Sequence, residues 1–217
     1  MSLRITTNVA AWVRRSRWTV TNRLSRHVLC LTATLISAAF AGSAHAGEDT
    51  LDRLLALLAA RLDVGRDVAA AKWNSGAPIA DPAREAQVLA GARDMAAASG
   101  ADPEAVADLV SAQIEASKML QKQLHAHWRN AGHGPFPDAP SLTADVRPKL
   151  DLIGEALPGA LVAVQPMLPG HCAQLETRAG LMLADVDTAI RDRAIAPLRL
   201  WAGCARSAVS PRWSLAR

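Results

Sequence analysis

Apolar residues recur at steps of three and four along most of this chain, a period that admits helices and little else. Leu51, Leu54, Leu55, Leu58, Leu62 and Val68 predict an amphipathic helix from about 50 to 74. The stretch Asn74–Ala80 breaks it, and Asp81-Pro82 restarts a helix with Asp as N-cap and Pro at the first helical position. Gly100 ends that second helix, and Asp102-Pro103-Glu104 repeats the start signal for a third, running to about Trp128. Alternating runs of β-branched residues are scarce and Tyr is absent, so an all-β fold is excluded on composition.

Arg129–Ser141 is rich in Gly and Pro and reads as a linker. Beyond it, Val146–Met167 looks helical with a kink or break at Pro158-Gly159, and Leu175–Arg193 and Ile195–Ala208 look like two further helices. The tail from Ser210 reads as frayed. The expected fold is all-α: about six helices bundled in a single domain. The division is 1–46 leader, 47–130 helical body, 131–141 linker and 142–217 C-terminal helical extension packed on the same domain.

The net charge of +4 belongs to the leader. Residues 1–46 hold six arginines and no acid, so the remaining 18 basic residues face all 20 acids, a net of −2. The body therefore lacks the basic excess that a nucleic-acid or anionic-membrane partner would call for. Val28–Gly42 supplies an apolar run of about 15 residues, shorter than the roughly 18–20 needed to span a bilayer. "SAHA" follows, with Ala44 and Ala46 at the small −3 and −1 positions of a cleavage before Gly47. The leader reads as a secretory signal, and the mature chain as periplasmic or secreted. Arg14-Arg15 lacks the apolar follow-on of a twin-arginine signal, and Cys30 lies inside the apolar run rather than after it. Cleavage leaves Cys172 and Cys204, and an even pair in an oxidising compartment reads as one disulfide. Two buried thiols are the poorer reading and a metal site weaker still.

The body offers no Gly-x-Ser-x-Gly elbow, no phosphate-cradling Gly loop and no His-Glu-x-x-His. His125 and His127 point about 200° apart on a helix and read as solvated polar residues near its end. Trp73, Trp128 and Trp201 read as core or interface. What remains is a set of polar groups at helical spacing. Arg61 and Lys72 lie eleven residues apart, three turns on one face, and Ser117 and Gln121 share a face four apart. Asp81, Arg84 and Glu85 cluster on the first turn of the second helix. Bundled together, they would suit a small polyanion that carries a hydroxyl.

The order of these residues in "LLALLAARLDVGRDVAAAKWNSGAPIADPARE" (54–85) and "QIEASKMLQKQL" (113–124) resembles the all-helical class of chorismate mutases. The likeness is greatest to the exported subclass, which carries a signal peptide and a C-terminal helical extension. It implies rearrangement of chorismate to prephenate with no cofactor or metal, by selecting the compact conformer of a flexible dianion and stabilising charge on the breaking ether oxygen. By position, Arg61 would hold a carboxylate with Ser117 assisting, and Lys72 and Gln121 would flank the ether oxygen. Arg84 would shape the anion site, while Asp81 and Glu85 would orient the ring hydroxyl. Arg147, or failing it Lys149, would complete the pocket from beyond the linker. The resemblance also implies a homodimer and a disulfide across the C-terminal helices.

Two positions depart from the exported pattern. Gln121 stands where many members carry Glu, and an amide donates at any pH, so the rate is expected to be nearly flat from mildly acid to mildly alkaline. Val88 stands where a polar side chain is common, and reads either as pocket lining or as core. A rival reading keeps the bundle without the chemistry, as a periplasmic helical binding or adaptor protein. It differs in predicting that Lys72→Ala leaves function untouched.

Overall fold

A computed structural model describes residues 41–204, with side chains from 49 onward. The readings placed on residues 1–40 and on the tail from 205 lie outside the described residues. Seven α-helices form, and no strand among the described residues: α1 Ala41–Ser75, α2 Pro82–Ser99, α3 Pro103–Asn130, α4 Arg147–Val164, α5 Cys172–Met182, α6 Thr188–Ala194 and α7 Ala196–Trp201. A π-helical turn, Leu142–Val146, leads into α4, and a 3₁₀ turn, Gln165–Met167, closes it.

The helix starts form as their local chemistry dictates. Asp81 accepts from the Arg84 backbone N–H at 3.1 Å, while Glu85 Oε1 accepts from the Asp81 N–H at 3.1 Å, so each side chain satisfies an orphan donor of the first turn. Gly100 adopts φ 73°, ψ 15° and donates back to Ala96 and Ala97, which halts α2. Asp102 then caps α3 through the N–H groups of Glu104 and Ala105.

Three sequence expectations are corrected. α1 begins at Ala41 rather than near 50, so the expected Ala46-Gly47 junction falls within its first turns. Pro158 does not break α4, because Leu157, Leu161 and Val164 seat the helix in the core and Pro158 is itself buried. The helix expected over 175–193 is two, since Asp187 caps a fresh start by accepting from the Ile190 N–H at 3.0 Å, and this raises the count to seven.

The core joins both halves of the chain. Leu54, Leu55, Leu58 and Leu62 of α1 meet Val106, Leu109 and Leu120 of α3, Leu157 and Leu161 of α4, and Leu175, Ile190 and Leu198 of the extension. Each such side chain contributes about 1.5–3 kcal/mol on burial. α1 packs along both α3 and α4, α2 lies on α3, and α6 and α7 cover the other side of α3. Cys172 and Cys204 are joined in a disulfide spanning 32 residues.

The linker is fastened to the end of α1. Asn74 donates to Phe136 O at 2.7 Å and accepts from Phe136 N–H at 2.8 Å, and the Trp73 indole donates to Gly134 O at 3.2 Å. Trp128 is buried and meets Trp73 and Phe136 edge to face. His125 is corrected here: it is half-buried in this aromatic cluster with Nε2 2.8 Å from Ala69 O, whereas His127 is exposed as expected.

Candidate active site

Arg61 sits in the middle of α1, only 8% exposed. Among the described residues no oxygen accepts a hydrogen bond from its guanidinium. Burial pulls its pKa down to about 10, and the Asp151 carboxylate of α4 offsets only part of that. It remains a cation at neutral pH, largely buried and without an acceptor among the described residues.

Three turns along the same stripe, Lys72 is half-buried, and its Nζ donates to Ile79 O at 2.6 Å. Burial lowers the pKa of this ammonium, with Asp81 and Glu85 pulling it up and Lys118 pushing it down. The segment leading into α2 and its first turn therefore lie close to Lys72.

Between Arg61 and Lys72 lies Gly65, where α1 runs close against α3. A Cβ built there would stand 2.8 Å from Ser117 Oγ, so only a residue without one leaves the hydroxyl in place. Ser117 Oγ in turn accepts from Gln121 Nε2 at 3.1 Å. Gln121 is 4% exposed, and its Oε1 is buried with no partner among the described residues. Such an orphaned group costs about 1–3 kcal/mol. Because the Ser117 hydroxyl both donates and accepts, a half-turn of the amide exchanges which Gln121 atom is left free.

Glu85 is held on both oxygens: Oε1 by the Asp81 N–H, Oε2 by Lys118 Nζ at 2.9 Å. Burial would raise its pKa, but those two hydrogen bonds and the charges of Lys118 and Lys72 bring it below the ordinary glutamate range. Lys118 escaped the sequence reading. The available signal was its place next to Ser117 and three residues after Glu115, whose Oε1 it also grips at 2.6 Å.

The remaining expected residues are less engaged. Arg84 is half-buried and reaches Gln87 Oε1 at 3.5 Å. Arg147 is exposed on the first turn of α4, one turn before the Asp151 that senses Arg61. Lys149 pairs with Asp67 of α1 at 2.9 Å. Val88 packs against the core, which resolves its two readings toward core. Cys172, Glu176 and Cys204 cluster closely enough to suggest a metal site, but the two sulfurs are already bonded to each other.

Comparison with known proteins points one way. Residues 49–122 match the family described as Chorismate mutase type II. The chain is 31% identical over 140 residues to the secreted chorismate mutase of Mycolicibacterium smegmatis, covering 63% of this chain and 77% of that one. It is 30% identical over 133 residues to the secreted chorismate mutase of Mycobacterium tuberculosis, covering 60% and 66%. The crystal structure of a chorismate mutase from Burkholderia phymatum superposes with a TM-score of 0.65 at 34% identity, over 70% of this chain and 98% of that one. One from Burkholderia thailandensis gives 0.62 at 36%, with the same coverage.

Proposed function

The chain belongs to the all-helical type II chorismate mutase family and is an isomerase of that kind, and on that premise we propose how its residues carry the reaction. Chorismate is a dianion with a ring hydroxyl. Its rearrangement breaks the ether C–O bond and forms a C–C bond within one molecule, so catalysis consists of holding the compact conformer and stabilising charge at the ether oxygen. Arg61 fixes a carboxylate through its fork of N–H donors, with Ser117 assisting. Lys72, with two of its three N–H groups left over from Ile79, donates to the ether oxygen from one side. Gln121 turns its amide so that Ser117 donates to Oε1 and Nε2 donates to the same ether oxygen from the other side. These donors gain strength as negative charge builds there, which is what lowers the barrier. Asp81 and Glu85 take the ring hydroxyl. Arg84 and Arg147 close the anion site from α2 and from the first turn of α4.

The observation that carries this reading is Arg61, a largely buried guanidinium with no acceptor among the described residues, on a helix packed against the one that carries Gln121, whose buried Oε1 has no partner among them either. Fixed charges preorganised in a dry site act at full strength on a dianionic guest. The purified chain is expected to consume chorismate, followed by loss of its ultraviolet absorbance. Lys72→Ala is expected to cost several kcal/mol of transition-state stabilisation. Absence of turnover at micromolar enzyme would refute the assignment.

We infer further that the protein is exported. No helix among the described residues is long and apolar enough to cross a membrane. The basic leader, its apolar run and the small residues before Gly47 read as a cleavable signal, and a single disulfide suits an oxidising compartment. A homodimer is the expected assembly, testable by light scattering of the cleaved chain.

A further inference from the structure

We propose that Lys118 is a positioning residue for the rearrangement: it clamps the Glu85 carboxylate in the orientation that receives the substrate's ring hydroxyl. This rests on the reading of the site given above. Lys118 lies on α3 between Ser117 and Gln121, yet its ammonium does not stand free for an anionic guest. It is held between two carboxylates, Glu85 Oε2 at 2.9 Å and Glu115 Oε1 at 2.6 Å, and its side chain is only 17% exposed. A lysine gripped twice cannot swing to a substrate carboxylate without breaking an ion pair on each side, so its action passes through Glu85.

Glu85 gains two things from that contact. Its carboxylate is pinned at both oxygens by donors from different elements, the Asp81 N–H of its own turn and Lys118 of α3, so rotation of the group would lose one of them. Each oxygen keeps a second lone pair for the guest. The charged groups facing Glu85 are Lys72 from α1, Lys118 and Glu115 from α3, and Asp81 from the turn it caps. Of the two lysines, Lys118 alone touches Glu85 directly, and it keeps the carboxylate ionised at mildly acid pH. Protonation would turn an acceptor oxygen into a donor and release Lys118.

The test compares pH profiles of kcat/KM on chorismate for the unaltered chain, Lys118→Met, Lys118→Gln and Lys118→Arg. The unaltered chain should be nearly flat between about pH 5 and about pH 8, whereas Lys118→Met should develop an acid limb, its kcat/KM relative to the unaltered chain falling as pH drops through about 5 and approaching a tenfold deficit at lower pH, the ratio that one unit of pKa displacement produces. Lys118→Arg should restore the flat profile. Lys118→Gln keeps a neutral donor at this largely buried position and serves if the Met variant does not fold; it should show the same acid limb. Profiles of the Met or Gln variant that superimpose on the parent, at whatever absolute rate, would overturn the proposal. If the unaltered chain itself did not turn over chorismate, the failure would lie with the reading of the site instead.

Discussion

Replacing Arg61 by Met should make the protein more stable and nearly inactive. Burial lowers the arginine pKa from its ordinary value to about 10, a cost on the order of 3 kcal/mol at about 1.36 kcal/mol per pKa unit. The sign follows from the direction. A base whose pKa is lower in the fold than in the unfolded chain has its charged form disfavoured by folding, so the cost is present in full below about pH 10 and is relieved only above it. Asp151 already lies within that net figure and is exposed, so it can return to water when the guanidinium goes. Methionine keeps the aliphatic stem and flexes to fill the space. The expected gain is about 2–3 kcal/mol, or a rise in Tm of about 5–10 °C for a chain of this length. Two charge-assisted hydrogen bonds to a carboxylate, at about 1.5–3 kcal/mol each, set the loss in kcat/KM at about 10²- to 10⁴-fold. Calorimetry and chorismate turnover on the same preparations decide it. A fall in Tm of several degrees would make Arg61 a structural residue, and retained activity would remove it from the site.

Four further outcomes are expected. Gly65→Ala should cost about tenfold in kcat with little change in KM, because its Cβ displaces the Ser117 hydroxyl that holds Gln121, about one hydrogen bond's worth; in a Ser117→Ala background the same change should cost nothing further. Gln121→Glu should convert a nearly flat pH–rate profile into one that survives only toward acid, since a carboxyl must be protonated to donate. Reducing the Cys172–Cys204 bond, or Cys204→Ala, should lower unfolding free energy by about 3–4 kcal/mol in denaturant titrations, with kcat in dilute buffer unchanged. Asp108, whose pKa is raised to about 6 by burial and by Glu104 and Asp102, binds its proton more tightly in the fold than when unfolded. It therefore opposes folding at neutral pH and ceases to do so as pH drops toward about 4, so Asp108→Asn should raise Tm at pH 7 and flatten its rise on acidification.

The helix starts were legible because their signals are local: Asp-Pro before an apolar stripe states both the cap and the first turn, and α2 and α3 begin where those pairs stand. The facing stripes of α1 and α3 followed from period alone. What escaped depended on neighbours distant in sequence. Pro158 reads as a break until the burial of Leu157, Leu161 and Val164 is known to hold α4 together. Asp187 carried a cap signal, but the apolar residues around it continued the helical period and hid the gap. Lys118 looks like any surface lysine until α2 brings Glu85 across from 33 residues away. His125 reads as solvated until the linker folds Phe136 onto Trp128 and the end of α1.

The extension is knitted to the first half of the same chain. Arg178 pairs with Asp52, Arg66 reaches Asp185 O at 2.7 Å, Gln113 reaches Ala194 O at 3.1 Å, and Gln123 meets Asp187 at 2.9 Å. On the reading proposed above, a pocket assembled from a single polypeptide would not come apart on dilution, whereas a cavity shared between subunits would empty as the partners drifted away. Turnover per chain should hold constant down to the lowest concentration that can be assayed.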